Sequence, residues 1–211
     1  MADWVTISSL ATAGGTLVLA GATFASVRSA NRAARVAERS LLAGLQPLLT
    51  TSHLEDPAQK VQFVDGRTLV TPGGGGAAEI ADDAIYLSLS VRNAGSGIAV
   101  LHGWRYYPVR MRALNEAPAL EAFHQFTRDI YIASGDVGFW QGSFRDPAAP
   151  EFAAARQAIE TREPMSVDVL YGDFEGGQRV ITRFAFWPRE TDNGWLGGTV
   201  RHWNLDRGDP R

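Results

Sequence analysis

The hydrophobic pattern divides the chain into three stretches. Residues 4–27 carry no charged side chain, and Arg28 closes the run. The hydrocarbon core of a bilayer needs about 20 consecutive apolar residues at ~1.5 Å rise each, so Trp4–Val27 predicts a transmembrane helix within residues 1–27. From Arg28 to Leu45 the period stays helical. Ala30, Ala34, Ala37, Leu41 and Leu45 form one stripe, and Arg28, Arg32, Arg35 and Arg39 form another. Residues 28–46 therefore read as a basic amphipathic stalk that continues the helix until Gly44 and Pro47 stop it.

After Pro47 the period drops to two. Val61–Val64 and Arg67–Val70 flank Asp65-Gly66, a hairpin signal. Pro72–Gly76 reads as a flexible linker, because four consecutive glycines disfavour an element interior. Ile85, Leu87, Leu89 and Val91 alternate with Tyr86, Ser88, Ser90 and Arg92, which predicts a half-buried strand. Residues 98–109, 128–132, 138–144, 165–171, 178–187 and 195–205 are further β-prone runs. Ala117–Gln125 is a short helix or a loop, and Glu151–Thr161, behind Pro147 and Pro150, is a helix. Strands at intervals near ten residues with turns between them predict an antiparallel β-sandwich over 47–205, with one or two short helices. Residues 206–211 form a polar tail that is expected to fray. The predicted class is mainly β behind an N-terminal helix.

Asn93, Gly95, Gly97 and Ala99 form an N-x-G-x-G-x-A segment between two strands, and Tyr171-Gly172-Asp173 with Gly176-Gly177 forms a strand–turn–strand. Together with the N-terminal run, these segments resemble uncharacterised bacterial proteins that carry an N-terminal membrane helix and a C-terminal β-sandwich. The resemblance covers residues 84–109 and 165–187. It implies a fold and supplies no catalytic residues.

Charge adds an orientation. Residues 28–45 carry four Arg against Glu38, 4 − 1 = +3, while the chain from Gln46 onward holds 16 basic and 21 acidic residues, 16 − 21 = −5. Basic residues flanking a span stay cytoplasmic, so the expected placement is single-pass in the inner (plasma) membrane, N-terminus out and C-terminal domain in the cytoplasm. A secretory leader would carry its positive charge before the apolar run, where this chain has only Asp3. The arginine stripe is expected to meet lipid headgroups, and the Ala/Leu stripe offers self-association or a protein partner. An acidic domain is a poor nucleic-acid binder. Cysteine is absent and Lys60 is the single lysine, which excludes disulfides and thiolate sites and suggests a GC-rich bacterial genome.

No local motif carries chemistry. His53, His102, His124 and His202 are too far apart in sequence for a local metal motif, and Gly95-Ser96-Gly97 lacks the spacing of a nucleophile elbow. No cofactor is implied. The candidate partner surface is aromatic: Trp104, Tyr106, Tyr107 and Trp140, with Trp104 and Tyr106 on one strand face and Tyr107 on the other. The expected function is a membrane-anchored binding or scaffolding module, not an enzyme. The first alternative is an outward-facing sandwich that binds cell-envelope glycan through Trp and Tyr. The second is an enzyme whose site is dispersed over His102, Asp168 and Asp173, although Asp in a hairpin turn usually caps its own backbone.

Overall fold

The computed structural model describes residues 4–111, 116–190 and 194–206. It divides into two compact units, residues 1–44 and 45–211. In the first, α1 runs unbroken over Trp4–Gly44. The run is rich in Ala and free of Pro, and its hydroxyls fold back onto the preceding turn. Thr12, Thr16 and Thr23 each donate through Oγ1 to the carbonyl four residues earlier, at 2.8 Å. Span and stalk are thus one helix, as their common period implies.

The expected membrane span does not hold. Among the described residues, no helix is long and apolar enough to cross a membrane. Length is present in α1, but apolarity is not: Gly14, Gly15 and Gly21 and the hydroxyls of Thr12, Thr16, Thr23 and Ser26 dilute the run, and Arg28 ends it. Freedom from charge is a weaker property than affinity for hydrocarbon. The transmembrane, single-pass and inner-membrane assignments, with the orientation drawn from them, are corrected accordingly. Arg28, Arg32 and Arg35 are exposed side chains, and the Arg39 side chain lies outside the described residues.

The second unit is mainly β and antiparallel. Its strands in chain order are β1 (Leu49–Thr51), β2 (Gln59–Gln62), β3 (Thr68–Thr71), β4 (Gly75–Ala81), β5 (Ala84–Asn93), β6 (Ala99–Tyr107), β7 (His124–Ile132) and β8 (Val137–Phe144). After α2 (Pro150–Glu160) come β9 (Met165–Gly172), β10 (Val180–Pro188) and β11 (Trp195–Asn204). One layer places β8 on one side of β5, with β4 and β1 sharing the other. The second layer runs β7-β6-β9-β10-β11. They join where Gly76 meets Trp195 and Gly75 meets Leu196. Side chains of unpaired strands meet between the layers: Trp104 of β6 lies 5.5 Å from Trp140 and 5.4 Å from Phe144 of β8, ring centre to ring centre. This arrangement is consistent with a β-sandwich.

The core follows the period-two pattern. Ile85, Leu87, Leu89 and Val91 face Val167, Val169, Tyr171, Phe184 and Phe186, while Phe152, Ala155 and Ala158 of α2 complete the cluster. Pro150 takes the first turn of α2, where its missing N–H costs nothing. The hairpin of β2 and β3 pairs Val61 with Leu69 and packs on Tyr86.

Three local expectations change. The glycine run at 73–76 is no linker: β4 begins inside it, and a Cβ on Gly76 would sit 2.5 Å from the Phe186 ring. Glycine is there because one layer passes into the other at backbone contact. Asp206, assigned to the fraying tail, is tied to Arg179, whose Nη2 donates to Oδ1 at 2.7 Å; residues 207–211 lie outside the described residues. The segment Asn93–Gly97 is a clamp. Asn93 Oδ1 accepts from the Leu48 and Gly95 N–H groups (3.1 and 3.0 Å), and its Nδ2 donates to the Gly97 and Ile132 carbonyls (2.6 and 3.0 Å). All four hydrogen-bonding positions of the amide are used. A Cβ on Gly97 would lie 1.7 Å from the Leu45 carbonyl oxygen, so only glycine lets the loop close over residues 45–48.

Candidate functional site

The proposed aromatic surface is mostly interior. A register shift between Leu101 and Gly103 resets the alternation of β6, so Ala99 and Leu101, then Trp104 and Tyr106, all face the core. Trp104 is 6% exposed, Tyr106 7% and Trp140 0%. These three form no exposed partner patch, because an antiparallel layer packed on another buries its large rings first. Tyr107 points to the opposite face and meets an ion pair.

That pair is Asp168 with Arg183, 0% and 1% exposed at the side chain. Arg183 Nε donates to Oδ1 at 2.6 Å and Nη2 to Oδ2 at 2.7 Å, a bidentate fork. Tyr107 donates its hydroxyl hydrogen to Oδ2 at 2.9 Å. The guanidinium also lies 4.9 Å from the Tyr107 ring centre and 5.0 Å from that of Trp203. Burial first, then the Asp168 charge, pushes the Tyr107 hydroxyl up to about 12. Asp168 is therefore committed as an acceptor on three sides and is not free to move protons.

Asp173 is committed too. Its Oδ1 accepts from the N–H groups of Gly177 (2.7 Å) and Gln178 (3.3 Å), the turn capping that its position suggested. His102 is half-buried; burial first, then Arg179, holds its pKa below the usual imidazole value, against an opposing pull from Asp129 and Asp173. Asp168 and Asp173 are five residues apart along and beyond β9, ~16 Å of extended chain. His102 lies beside Gly172 and near Asp173, but Asp168 lies apart in its pair with Arg183, so the three residues of the dispersed-site alternative do not meet in one place. Among the described residues, no three His, Asp or Glu side chains come together to hold a metal ion.

A site does form where the two layers part. The strands β7 and β8 are outer strands of different layers, joined by the turn after Ile132. At the far end of both strands from that turn lies a groove of about 210 Å³. Phe63, Trp104 and Phe126 supply its rings; Gln125, Gln141 and Ser143 supply its polar groups. The His124 ring packs against Trp104, tilted by 35° with ring centres 4.8 Å apart. Gly142 keeps the wall thin, since a Cβ there would lie 2.8 Å from Trp140 and 3.1 Å from Trp104.

Arg128 spans the opening, donating through Nη2 to Gln141 Oε1 at 2.9 Å and to the Gln62 carbonyl at 3.1 Å. This fixes the orientation of a Gln141 side chain that is only 8% exposed. With Oε1 taken by Arg128, the amide NH2 is the remaining polar end, and it makes no hydrogen bond to the protein. Solvent reaches this NH2, so it is a fixed donor that a ligand entering the groove must answer or leave unsatisfied, at about 1–3 kcal/mol. Sequence reasoning named only Trp104 of these residues. The others come from three further segments and share no local motif; pairing of the layers alone brings them together.

No family model matches the chain, and no curated protein matches it. Among solved structures it is similar to a beta-glucosidase from Kluyveromyces marxianus in complex with glucose. That likeness has 13% identity and a TM-score of 0.20, over 61% of this chain and 14% of the other. At that score it carries no argument about fold or activity.

Proposed function

We propose that this chain is a non-catalytic binding module, a β-sandwich whose ligand site is the groove between β7 and β8. The observation that carries the reading is the Gln141 amide: an NH2 that opens to solvent in the groove and has no protein acceptor, held in place by Arg128 and walled by aromatic rings. Concave, ring-lined sites with a few fixed polar groups are the usual form of small-ligand sites. The two carboxylates of the dispersed-site alternative, Asp168 and Asp173, are already spent on a buried ion pair and on a hairpin turn. The test is a 15N–1H spectrum of the full chain titrated with capped peptides, neutral and acidic oligosaccharides, and nucleosides. The Trp104 indole and Gln141 side-chain NH2 resonances are expected to move with one of these classes. Groove resonances that stay still throughout, in a folded protein, overturn the reading.

A scaffolding role for α1 rests on a separate observation. Leu10, Leu17 and Phe24 recur every seven residues and are exposed, as are Val27 and Leu41. A 41-residue helix with such a stripe is suited to association with other helices, including those of a second copy. Sedimentation of the full chain tests this. A mass that rises with concentration and falls to the monomer on Leu17→Glu with Phe24→Glu supports it; a monomer at all concentrations removes it.

A further inference from the structure

The lining of the groove narrows the chemistry of what it holds. Its side chains come from Phe, Trp, His, Gln and Ser, and among the described residues no carboxylate, lysine or arginine lines it. The nearby cation, Arg128, already donates to Gln141 and to the Gln62 carbonyl. A fixed positive charge on a ligand would enter this space without a counter-charge, at a cost of several kcal/mol, and a negative one would find only Arg128, already turned to two other acceptors. A purely apolar ligand would fare little better, because it would displace water from the Gln141 NH2 and leave that donor unsatisfied. The fitting ligand is uncharged, carries oxygen acceptors and has an apolar face to lie along the rings.

Size narrows it further. About 210 Å³ is below the usual range for drug-sized ligands, roughly 300–1,000 Å³, and suits one ring-sized group. The polar groups differ in kind. The Gln141 NH2 can only donate, while the Gln125 amide and the Ser143 hydroxyl both donate and accept. Hydroxyls are the ligand groups that can answer all three, since each donates one hydrogen and accepts with two lone pairs. A sugar ring presents several hydroxyls at its edge and C–H groups on its faces.

Resting on the reading of the groove as the ligand site, we infer that it is a subsite for one neutral sugar ring of an oligosaccharide. A pyranose ring lies against the walls formed by Phe63, Trp104 and Phe126. One ring hydroxyl accepts from Gln141 Nε2, and neighbouring hydroxyls exchange hydrogen bonds with Gln125 and Ser143. Trp104 contributes an edge rather than a platform, because His124 covers one of its faces.

The experiment uses the full chain, 15N-labelled and titrated with neutral gluco-, manno-, galacto- and xylo-oligosaccharides, a uronic-acid oligosaccharide and a capped Phe peptide. At least one neutral oligosaccharide is expected to saturate shifts of the Trp104 indole and the Gln141 NH2, with the uronate at least tenfold weaker. Gln141→Glu keeps an acceptor for Arg128 while deleting the donor and adding a charge, so it should fold and lose about tenfold or more in affinity, the equivalent of one hydrogen bond. Ser143→Ala, a milder change, should lose severalfold. Movement of the groove resonances with the peptide alone defeats the sugar assignment and leaves the groove as a ligand site. Stillness with every probe defeats both. A neutral sugar whose affinity is untouched by Gln141→Glu and by Ser143→Ala also defeats the assignment, since it would bind elsewhere.

Discussion

Replacing Asp168 by Asn tests whether the buried pair is a cross-strand tie or a bystander. The substitution keeps the shape and removes the charge. The Arg183 guanidinium, 1% exposed, would then remain in the interior with an amide beside it. One carboxylate oxygen becomes an NH2, so either Nε–H at 2.6 Å or Nη2–H at 2.7 Å meets a donor. Removing one partner of a buried ion pair costs about 3–5 kcal/mol, mainly through the charge left behind. The rings of Tyr107 and Trp203, each about 5 Å from the guanidinium, retain their attraction for it and favour the lower half of that range.

Urea unfolding followed by tryptophan emission reads the change in the β unit, which holds five of the six tryptophans. With a slope of about 2 kcal/mol per molar urea, the midpoint should fall by about 1.5–2 M. Asp168→Leu combined with Arg183→Met removes both charges and should sit near the parent, since a well-packed apolar pair replaces a buried ion pair at little cost. A single substitution costing under about 1 kcal/mol, or a double variant no better than the single, would refute the account.

Other outcomes follow from the same geometry. Asn93→Ala strands the Leu48 and Gly95 N–H groups and two carbonyls, and should cost about 2–4 kcal/mol, with the Leu48 amide hydrogen exchanging much faster. Gly76→Ala forces the Phe186 ring aside and should lower stability by about 1–3 kcal/mol in a thermal melt. Burial pushes the hydroxyls of Tyr107 and Tyr171 each up to about 12. Folding therefore favours their neutral forms; that stabilisation is complete below pH 10 and drains away as pH climbs towards 12. Tyrosinate absorbance should rise together with loss of sheet signal. Ionisation of all five tyrosines near pH 10 in a folded protein would contradict the burial of Tyr107 and Tyr171.

The period-two pattern was enough to locate most strands. In β5 the inward residues Ile85, Leu87, Leu89 and Val91 are read directly from the alternation, and Asp65-Gly66 marks its hairpin because only a few residue types tolerate that turn. Three features escaped for different reasons. The register shift in β6 is a single extra residue at His102-Gly103, and nothing in composition announces it. The glycines at 73–76 were read as freedom, but here they reflect crowding, and the two causes look identical in one dimension. The membrane span was inferred from missing charges, while partition into hydrocarbon depends on the summed apolarity that Gly, Ser and Thr dilute. The groove was the least visible: its lining comes from residues 63, 104, 124–126 and 141–143, which are neighbours only once β7 and β8 lie in opposite layers.

The clamp around residues 45–51 has a consequence for synthesis. Gln46 donates through Nε2 to Asn204 Oδ1, the Leu49 N–H donates to the Tyr171 hydroxyl, and the Thr51 N–H donates to Thr199 Oγ1. These contacts span 158, 122 and 148 residues. Contacts of such separation form late, after a large loop-closure entropy has been overcome. The first strand pairs with β5 as soon as that strand emerges, but its ties to β9 and β11 wait for the end of the chain. Until then the edge of β4 that pairs with β11 stays open, at risk of association with other nascent chains. A chain cut before Trp195 removes two of these three ties and uncovers β4, and should be found aggregated or degraded instead of merely shortened.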